Sequence, residues 1–354
     1  MPAVSDAVWS AQGTTPDAIE AALRRLLKER HEENGGYVPA RVLNMVAFVD
    51  REWSGEIANR LRGVGRYHAS RLVVLSYDPK RERLDARATV ASEGEPAPGE
   101  LALLRETVIV EIGPAHLDDL LTIVDPLVVS DLPTLLWSPH GHPEAVQALL
   151  GLAQAVLLDS IDEPVWRDAV QRAQELSERA YVVDLAWLRS MPWRERIAST
   201  FDPPRMRIEA AQIRALTVRH HPESTVAGVL LVGWLASRLN WHTKPLRSEG
   251  DTLRGIAHAD RQEVELCLES APELGVRGLE GLTLRTTSKL ELSLDRAPGG
   301  LRTHRSDGYG SEHEWTILGA SRGEAGVLGE GIRQALLRDP TYVPALRAAK
   351  RMLP

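Results

Sequence analysis

The chain has 354 residues, 43% of them hydrophobic and 26% charged, a globular balance with enough apolar material for roughly two domains. A net charge of −7 argues against a general nucleic-acid binder, which concentrates basic excess on one face, and against adhesion to an anionic membrane. The single cysteine, Cys267, excludes an intrachain disulfide and a cysteine-rich zinc site, and fits a reducing compartment.

The opening MPAVSDAVWS lacks the basic-then-apolar order of a secretory leader, so a cytoplasmic location is expected. Thr15-Pro16 starts a helix, with a cap and then a proline at the first helical position. Ile19, Leu23, Leu26 and Leu27 recur at helical spacing, and Asn34-Gly35-Gly36 stops the pattern. ARVLNMVAFVD (40–50) and SRLVVLSYD (70–78) read as buried strands, with a helix from Trp53 to Leu61 between them. LDARATV and ETVIVEIG read as two more strands, separated by the exposed loop SEGEPAPGE. AHLDDLLTIVDPLVVSDL reads as a helix broken near Pro126; TLLWSP, PEAVQALLGL and AVLLDSID follow as strand, helix and strand. Apolar strands alternating with helices predict an α/β N-terminal domain with a mostly parallel sheet and an N-terminal helical extension, over residues 1–165.

WRDAVQRAQELSERA and the following YVVDLAWLRSMPWRER predict a helical connector over residues 166–200. IRALTVRHH reads as a strand, and TVAGVLLVGWLA as a core helix, shorter than the about 20 apolar residues a membrane span needs. Further on the pattern alternates strictly. Val264, Leu266 and Leu268 share one face, as do Leu282, Leu284, Leu290, Leu292 and Leu294. Period-two alternation predicts an antiparallel sheet with one wet face. Residues 201–354 should therefore form an α+β C-terminal domain, with a last helix from Gly326 to Leu337.

Motifs for chemistry are sparse. GVGR (Gly63 to Arg66) lies between a helix and a strand, the reverse of a dinucleotide fingerprint, and reads as a helix stop. No Walker loop or nucleophile elbow is present. His140 with His142, and His220 with His221, lack a further ligand at a recognised spacing and read as loop histidines. Asp125, Asp131, Asp159 and Asp162 fall near element ends, where caps and turns are the commoner roles. Cys267 lies between Glu265 and Glu269 on its strand, surroundings that raise a thiol pKa, so it reads as inert. The expectation is no catalytic residues, no cofactor and no metal. What stands out is nine tryptophans against two phenylalanines. Tryptophan and arginine are enriched at the energetic centres of interfaces, although tryptophan is equally a core anchor.

The ordered set ARVLNMV, SRLVVLS, DLPTLLWSP, DLAWLRSMPWR and VGWLASRL resembles the OpcA family of glucose-6-phosphate dehydrogenase assembly proteins, from about Val38 to beyond Arg238. The matching positions are Arg41, Asn44, Ser70, Arg71, Asp131, Pro133, Trp137, Pro139, Asp184, Trp187, Arg189, Trp193, Arg194, Gly233, Trp234 and Arg238. The resemblance implies a non-catalytic activator with glucose-6-phosphate dehydrogenase as partner, and it supplies no catalytic residues. Pro192 departs from the family pattern and should kink or restart its helix. The N-terminal extension with Trp9 is a second departure. With only Cys267, redox control would need an intermolecular bond or lie in the partner.

Candidate partner-binding residues are Trp187, Arg189, Trp193 and Arg194. Helical spacing puts Asp184, Trp187, Met191 and Arg194 on one stripe and Ala186, Arg189 and Trp193 on another, so one tryptophan should anchor the helix and the other be partly exposed. Arg41, Asn44, Arg71, Asp131, Trp137, Asp184, Trp234 and Arg238 are candidates for anion binding or structure. Converging arginines would make a sugar-phosphate or NADP-binding sensor, or an unrecognised enzyme of the same pathway; arginines paired with Asp131 or Asp184 would be structural.

Overall fold

The computed structural model describes residues 6–33, 35–39, 41–64, 69–92, 101–139, 141–260, 262–318 and 323–354. The chain divides into two units, each described by itself. The first takes in Met1–Leu158, Arg179–Val183 and Leu328–Leu336; the second takes in Asp159–Glu178, Asp184–Val327 and Leu337–Pro354.

In the first unit, β1 (Ala7–Ala11) leads to α1 (Pro16–Glu33), where the Thr15 hydroxyl accepts from the Ala18 amide as expected of a cap. There follow β2 (Tyr37–Pro39), β3 (Leu43–Asp50), α2 (Ser54–Val64), β4 (Ser70–Tyr77), β5 (Asp85–Ser92) and β6 (Ala102–Ile112). Next come α3 (Leu120–Val124), β7 (Thr134–Trp137), α4 (Pro143–Leu149), β8 (Ala155–Leu158) and, after an interval, β9 (Tyr181–Asp184). The strands run β1-β5-β6-β4-β3-β7-β8-β9, with β2 paired to β6. The pairs β6-β4, β4-β3, β3-β7 and β7-β8 are parallel. β3, β4, β7 and β8 are buried almost residue for residue, the signature of strands covered on both faces. Counted from β3, the order of this parallel run is doubly wound, with its topological switch between β3 and β7. Two antiparallel strands, β5 and β1, extend one edge. The 18-residue helix expected before β7 shrinks to the five residues of α3 between two 3-10 turns; Pro126, which lacks an amide hydrogen, ends α-helical bonding on its C-terminal side. The loop at 93–100, most of SEGEPAPGE, lies outside the described residues, as do Gly65 and Arg66 of GVGR.

The second unit contains α5 (Trp166–Ser177), α6 (Leu185–Arg189), α7 (Met191–Phe201), α8 (Pro204–Ala210), β10 (Ile213–His220) and α9 (Thr225–Arg238). It continues with β11 (His242–Thr243), β12 (Arg247–Glu249), β13 (Thr252–Ala259), β14 (Gln262–Ser270), β15 (Leu279–Thr286), β16 (Glu291–Ala297), β17 (Gly300–Ser306) and β18 (Glu312–Leu318). Two helices end the chain: α10 (Gly323–Leu337), whose middle belongs to the first unit, and α11 (Tyr342–Lys350). The sheet order is β11-β13-β14-β10-β15-β16-β17-β18, with β12 beside β13. Every registered pair is antiparallel except β10-β14, which is parallel. Leu266, Leu268, Leu282, Leu284, Leu292 and Leu294 form its buried face, as the alternation requires, and α9 packs on β10 and β14. α9 is buried from Val226 to Ala236, between the sheet, α5, α6 and α11. Gly233 allows that burial: a Cβ there would lie 2.4 Å from the Ala345 carbonyl oxygen of α11. No described helix is long and apolar enough to cross a membrane.

Candidate functional site

The stretch from Asp184 to Phe201 is two helices, not one. α6 ends at Ser190, and α7 restarts with Pro192 in its first turn, where a missing amide hydrogen leaves no helical bond unmade. The side chain of Asp184 caps α6 by accepting from the Ala186 amide at 3.0 Å. It also accepts from the Ser160 amide (3.2 Å), from the Ser160 hydroxyl, and from the Tyr342 hydroxyl (3.1 Å). Burial pushes the Asp184 carboxyl up to about 6, against the hydrogen bonds from Ser160 and Tyr342, which favour the ionised form.

Both tryptophans are buried, Trp187 at 2% and Trp193 at 4% exposure, so the expectation that one stays partly exposed is corrected. The break at Ser190 releases Trp193 from the period of α6, and both rings turn inward by different routes. Trp187 belongs to a network internal to the second unit. Its indole Nε1 donates to Asp339 at 2.8 Å, its ring meets Tyr342 edge-on at 5.4 Å, and the Arg194 guanidinium lies 3.5 Å from its ring centroid. Arg194 also donates to the Trp187 carbonyl (3.0 Å) and the Ser190 hydroxyl (3.2 Å), with Asp339 at 3.7 Å. Burial pushes the Arg194 guanidinium down to about 10, with Asp339 and Glu195 opposing. Burial also opposes ionisation of Asp339, but hydrogen bonds from Thr341 and Trp187 and the Arg194 charge outweigh it and hold that carboxyl below its usual range.

Arg189 and Trp193 face elsewhere. With Met191, Pro192, Val276 and Leu301 they line a cleft of about 270 Å³ within the second unit. Arg189 is gripped by both oxygens of Asp159, at 2.9 and 2.7 Å. Arg277, on the cleft wall, bridges Asp162 (3.1 Å) and Glu223 (2.9 Å). Burial and the neighbouring Asp159 charge raise the Asp162 carboxyl to about 6, with Arg277 and Arg189 opposing. Arg296, a third arginine of the cleft, donates from Nε and Nη2 to the Leu279 carbonyl at 3.2 and 2.9 Å. Gly278, beside it, holds φ at +123° and donates its amide to the Ser224 hydroxyl. Sequence reasoning missed Arg277, Arg296, Asp339 and Tyr342, whose partners are remote in the chain.

The remaining candidates are dispersed. In the first unit Arg71 donates to Glu106 (2.8 Å), Glu20 (2.9 Å) and the Leu127 carbonyl (3.2 Å), and Arg41 binds the other oxygen of Glu106. Asn44 is buried and fully used: it donates to the carbonyls of Val129 and Leu132 and to the Thr134 hydroxyl, and accepts from the Val129 amide. Trp137 is a buried residue of β7, and Asp131 is exposed ahead of that strand. In the second unit Trp234 is buried on α9 and Arg238 is exposed at its end.

His142, at φ +55°, sits where β3 and β7 end, with Nε2 3.0 Å from Asp50, Nδ1 3.3 Å from Glu144, and its ring against Phe48 and Tyr77. His140 lies outside the described residues. His220 is buried against the His221 carbonyl, and His221 accepts from the Glu223 amide. Burial, then the adjacent Glu269, raise the Cys267 thiol above its usual value. Asp159 caps the turn at Ile161, while Asp125 is exposed.

Comparison with known proteins follows the same chain order. Two family models match, both described as domains of a glucose-6-phosphate dehydrogenase subunit: the N-terminal domain over residues 62–178 and the C-terminal domain over residues 180–346. A Synechocystis sp. protein named "Putative OxPP cycle protein OpcA" is 31% identical over 123 residues, 34% of this chain and 26% of that protein. A Nostoc punctiforme protein of the same name is 28% identical over 176 residues, 47% of this chain and 38% of that protein. The chain thus matches between about a quarter and two fifths of these relatives' lengths. Among solved structures, the WlbA (WbpB) dehydrogenase of Thermus thermophilus superposes with a TM-score of 0.45 at 16% identity, over 88% of this chain and 96% of that one.

Proposed function

The chain belongs to the OpcA family of glucose-6-phosphate dehydrogenase assembly proteins, and from that premise we propose that it is a non-catalytic partner that binds the dehydrogenase and favours its active form in the oxidative pentose phosphate pathway. The observation that carries this reading is the sorting of DLAWLRSMPWRER. Trp187 and Arg194 hold their own unit together, whereas Arg189 and Trp193 line a concave, largely apolar cleft, the kind of place where interface anchors collect. We place the docking site there. To activate, the protein must bind the active form of its partner more tightly than the inactive form, since a ligand of equal affinity shifts nothing.

Two observations weigh against the sensor or enzyme alternative. Arg41 and Arg71 share Glu106, Arg189 is held by Asp159, and Arg194 lies on an indole, so these guanidinium groups already have partners. In a doubly wound sheet the ligand crevice lies beyond the carboxyl ends of the strands at the switch point. Here that position carries Asp50 and Glu144 around His142, an acidic lining that repels a pyrophosphate.

The test mixes purified protein with the dehydrogenase and measures complex mass by light scattering and turnover at limiting glucose 6-phosphate. A stable complex with raised turnover supports the reading. No complex, together with calorimetric binding of glucose 6-phosphate or NADP to this chain alone, would overturn it in favour of the alternative.

A further inference from the structure

We infer that the cleft beside Trp193 receives one large apolar side chain of the partner, flanked by a carboxylate of the same segment that pairs with Arg296. This rests on the docking reading above and adds the chemistry of what docks.

The cleft's walls come from the α6–α7 junction, the residues before β15 and the start of β17, and they are dominated by Trp193, Leu188, Met191, Pro192, Val276 and Leu301. Val276 is 53% exposed, an isolated apolar side chain at a concave site rather than on a convex face. A cavity of about 270 Å³ is below the size usual for cofactor sites, which begin at roughly 300 Å³, but it accommodates a single side chain. Its walls offer little to the many hydroxyls of a sugar phosphate, whose desolvation would go uncompensated.

Charge distinguishes the three arginines. Arg189 is matched by Asp159, and Arg277 by Asp162 and Glu223. Arg296 alone among them has no carboxylate within ion-pair distance among the described residues, the charge of Glu280 acting on it only from further away; its only hydrogen bonds there go to the Leu279 carbonyl. Two of its five donors are used, on the Nε–Nη2 edge, which leaves the in-plane donors of the Nη1–Nη2 edge for an incoming carboxylate. One uncommitted cation suits a monoanion. A phosphate dianion would add more negative charge beside Asp162 and Asp159 than a single guanidinium offsets.

The test uses N-acetyl-phenylalanine and its uncharged amide as probes, read by nitrogen–proton NMR of the tryptophan side chains, with Trp193 assigned through the Trp193→Phe variant. The acid should shift the Trp193 indole signal in a saturable way and bind about tenfold more tightly than the amide. Arg296→Gln should abolish that preference while leaving the amide's binding unchanged. Val276→Trp, which fills the mouth from an exposed position, should abolish both.

The same variants are then mixed with the dehydrogenase. Val276→Trp should weaken the complex at least tenfold, with thermal unfolding showing that it remains folded. If neither probe binds, or if Val276→Trp leaves the complex intact, the inference is overturned while the partner reading stands. If the probes bind as described but no complex forms with the dehydrogenase, the partner reading fails and the cleft chemistry stands.

Discussion

Arg71 in the first unit and Arg194 in the second are both buried, yet they are held by opposite means. Arg71 lies between Glu106 and Glu20, with Arg41 on Glu106 and Arg24 on Glu20 completing a cluster of three cations and two acids. Arg194 rests on the Trp187 indole, gives hydrogen bonds to a carbonyl and a hydroxyl, and has Asp339 at 3.7 Å. The first arrangement depends on every charge being present. The second shares its contacts among a π face, backbone and Asp339, which keeps its own bonds to Trp187 and Thr341. Arginines that look equivalent in sequence therefore differ in what their loss leaves behind.

The sharpest way to expose that difference is Arg71→Met, which keeps the side chain's volume but removes the buried cation that Glu106 and Glu20 share, leaving them only the more exposed Arg41 and Arg24. It should lower stability by about 3–5 kcal/mol, read as the urea midpoint of the first unit. A shift no larger than that of Arg194→Met would erase the distinction.

The next effect concerns Asp184, a buried acid whose hydrogen-bond donors are all uncharged. Its carboxyl is raised from 3.8 to about 6, so the folded state binds the proton more tightly than the unfolded one. The resulting stability is fully present below about pH 4 and is lost as pH rises through 6, a change of about 3 kcal/mol. Asp184→Asn should remove that slope from a urea series between pH 4 and 7. An unchanged slope in the variant would show that Asp184 binds its proton no more tightly in the folded state than in the unfolded one.

A smaller loss is expected from Trp187→Phe, which removes the hydrogen bond to Asp339 and weakens the surface under Arg194. The cost should be about 1–3 kcal/mol by chemical denaturation, and more than for Trp193→Phe, whose indole lines a cleft. The smallest effect belongs to Arg277→Ala. Arg277 and Glu223 are more than half exposed and Asp162 is partly exposed, so less than about 1 kcal/mol should be lost, and most of that should vanish at high salt.

The strands of the first sheet were legible because β3, β4, β7 and β8 are apolar runs, and the second sheet because Leu282, Leu284, Leu292 and Leu294 alternate. β18 carries no such pattern, since as an edge strand it is mostly exposed, and α11 is short with a proline in its first turn. β1 and β2 were missed for a related reason: strands of five and three residues are defined by the neighbour they pair with. The α6–α7 stretch drew notice through its density of tryptophan and arginine, and the break beside Pro192 followed from proline's geometry. What the ring of each tryptophan meets did not follow. Asp339 is 152 residues from Trp187, and Arg296 is set beside Leu301 of the cleft by the pairing of β16 with β17. Periodicity within one segment has no access to either.

The bond from Tyr342 to Asp184 joins residues 158 apart, and the Gly233 contact likewise waits for Ala345. During synthesis, then, α6 and α9 leave the ribosome well before the helix that completes their packing. Until α11 follows, the Asp184 carboxylate lacks its tyrosine and one flank of α9 stays bare. A nascent chain stalled between residues 240 and 340 would be open to proteases and chaperones in a way the finished protein is not. Cutting the gene at any single boundary between the units would divide at least one of them between the two fragments.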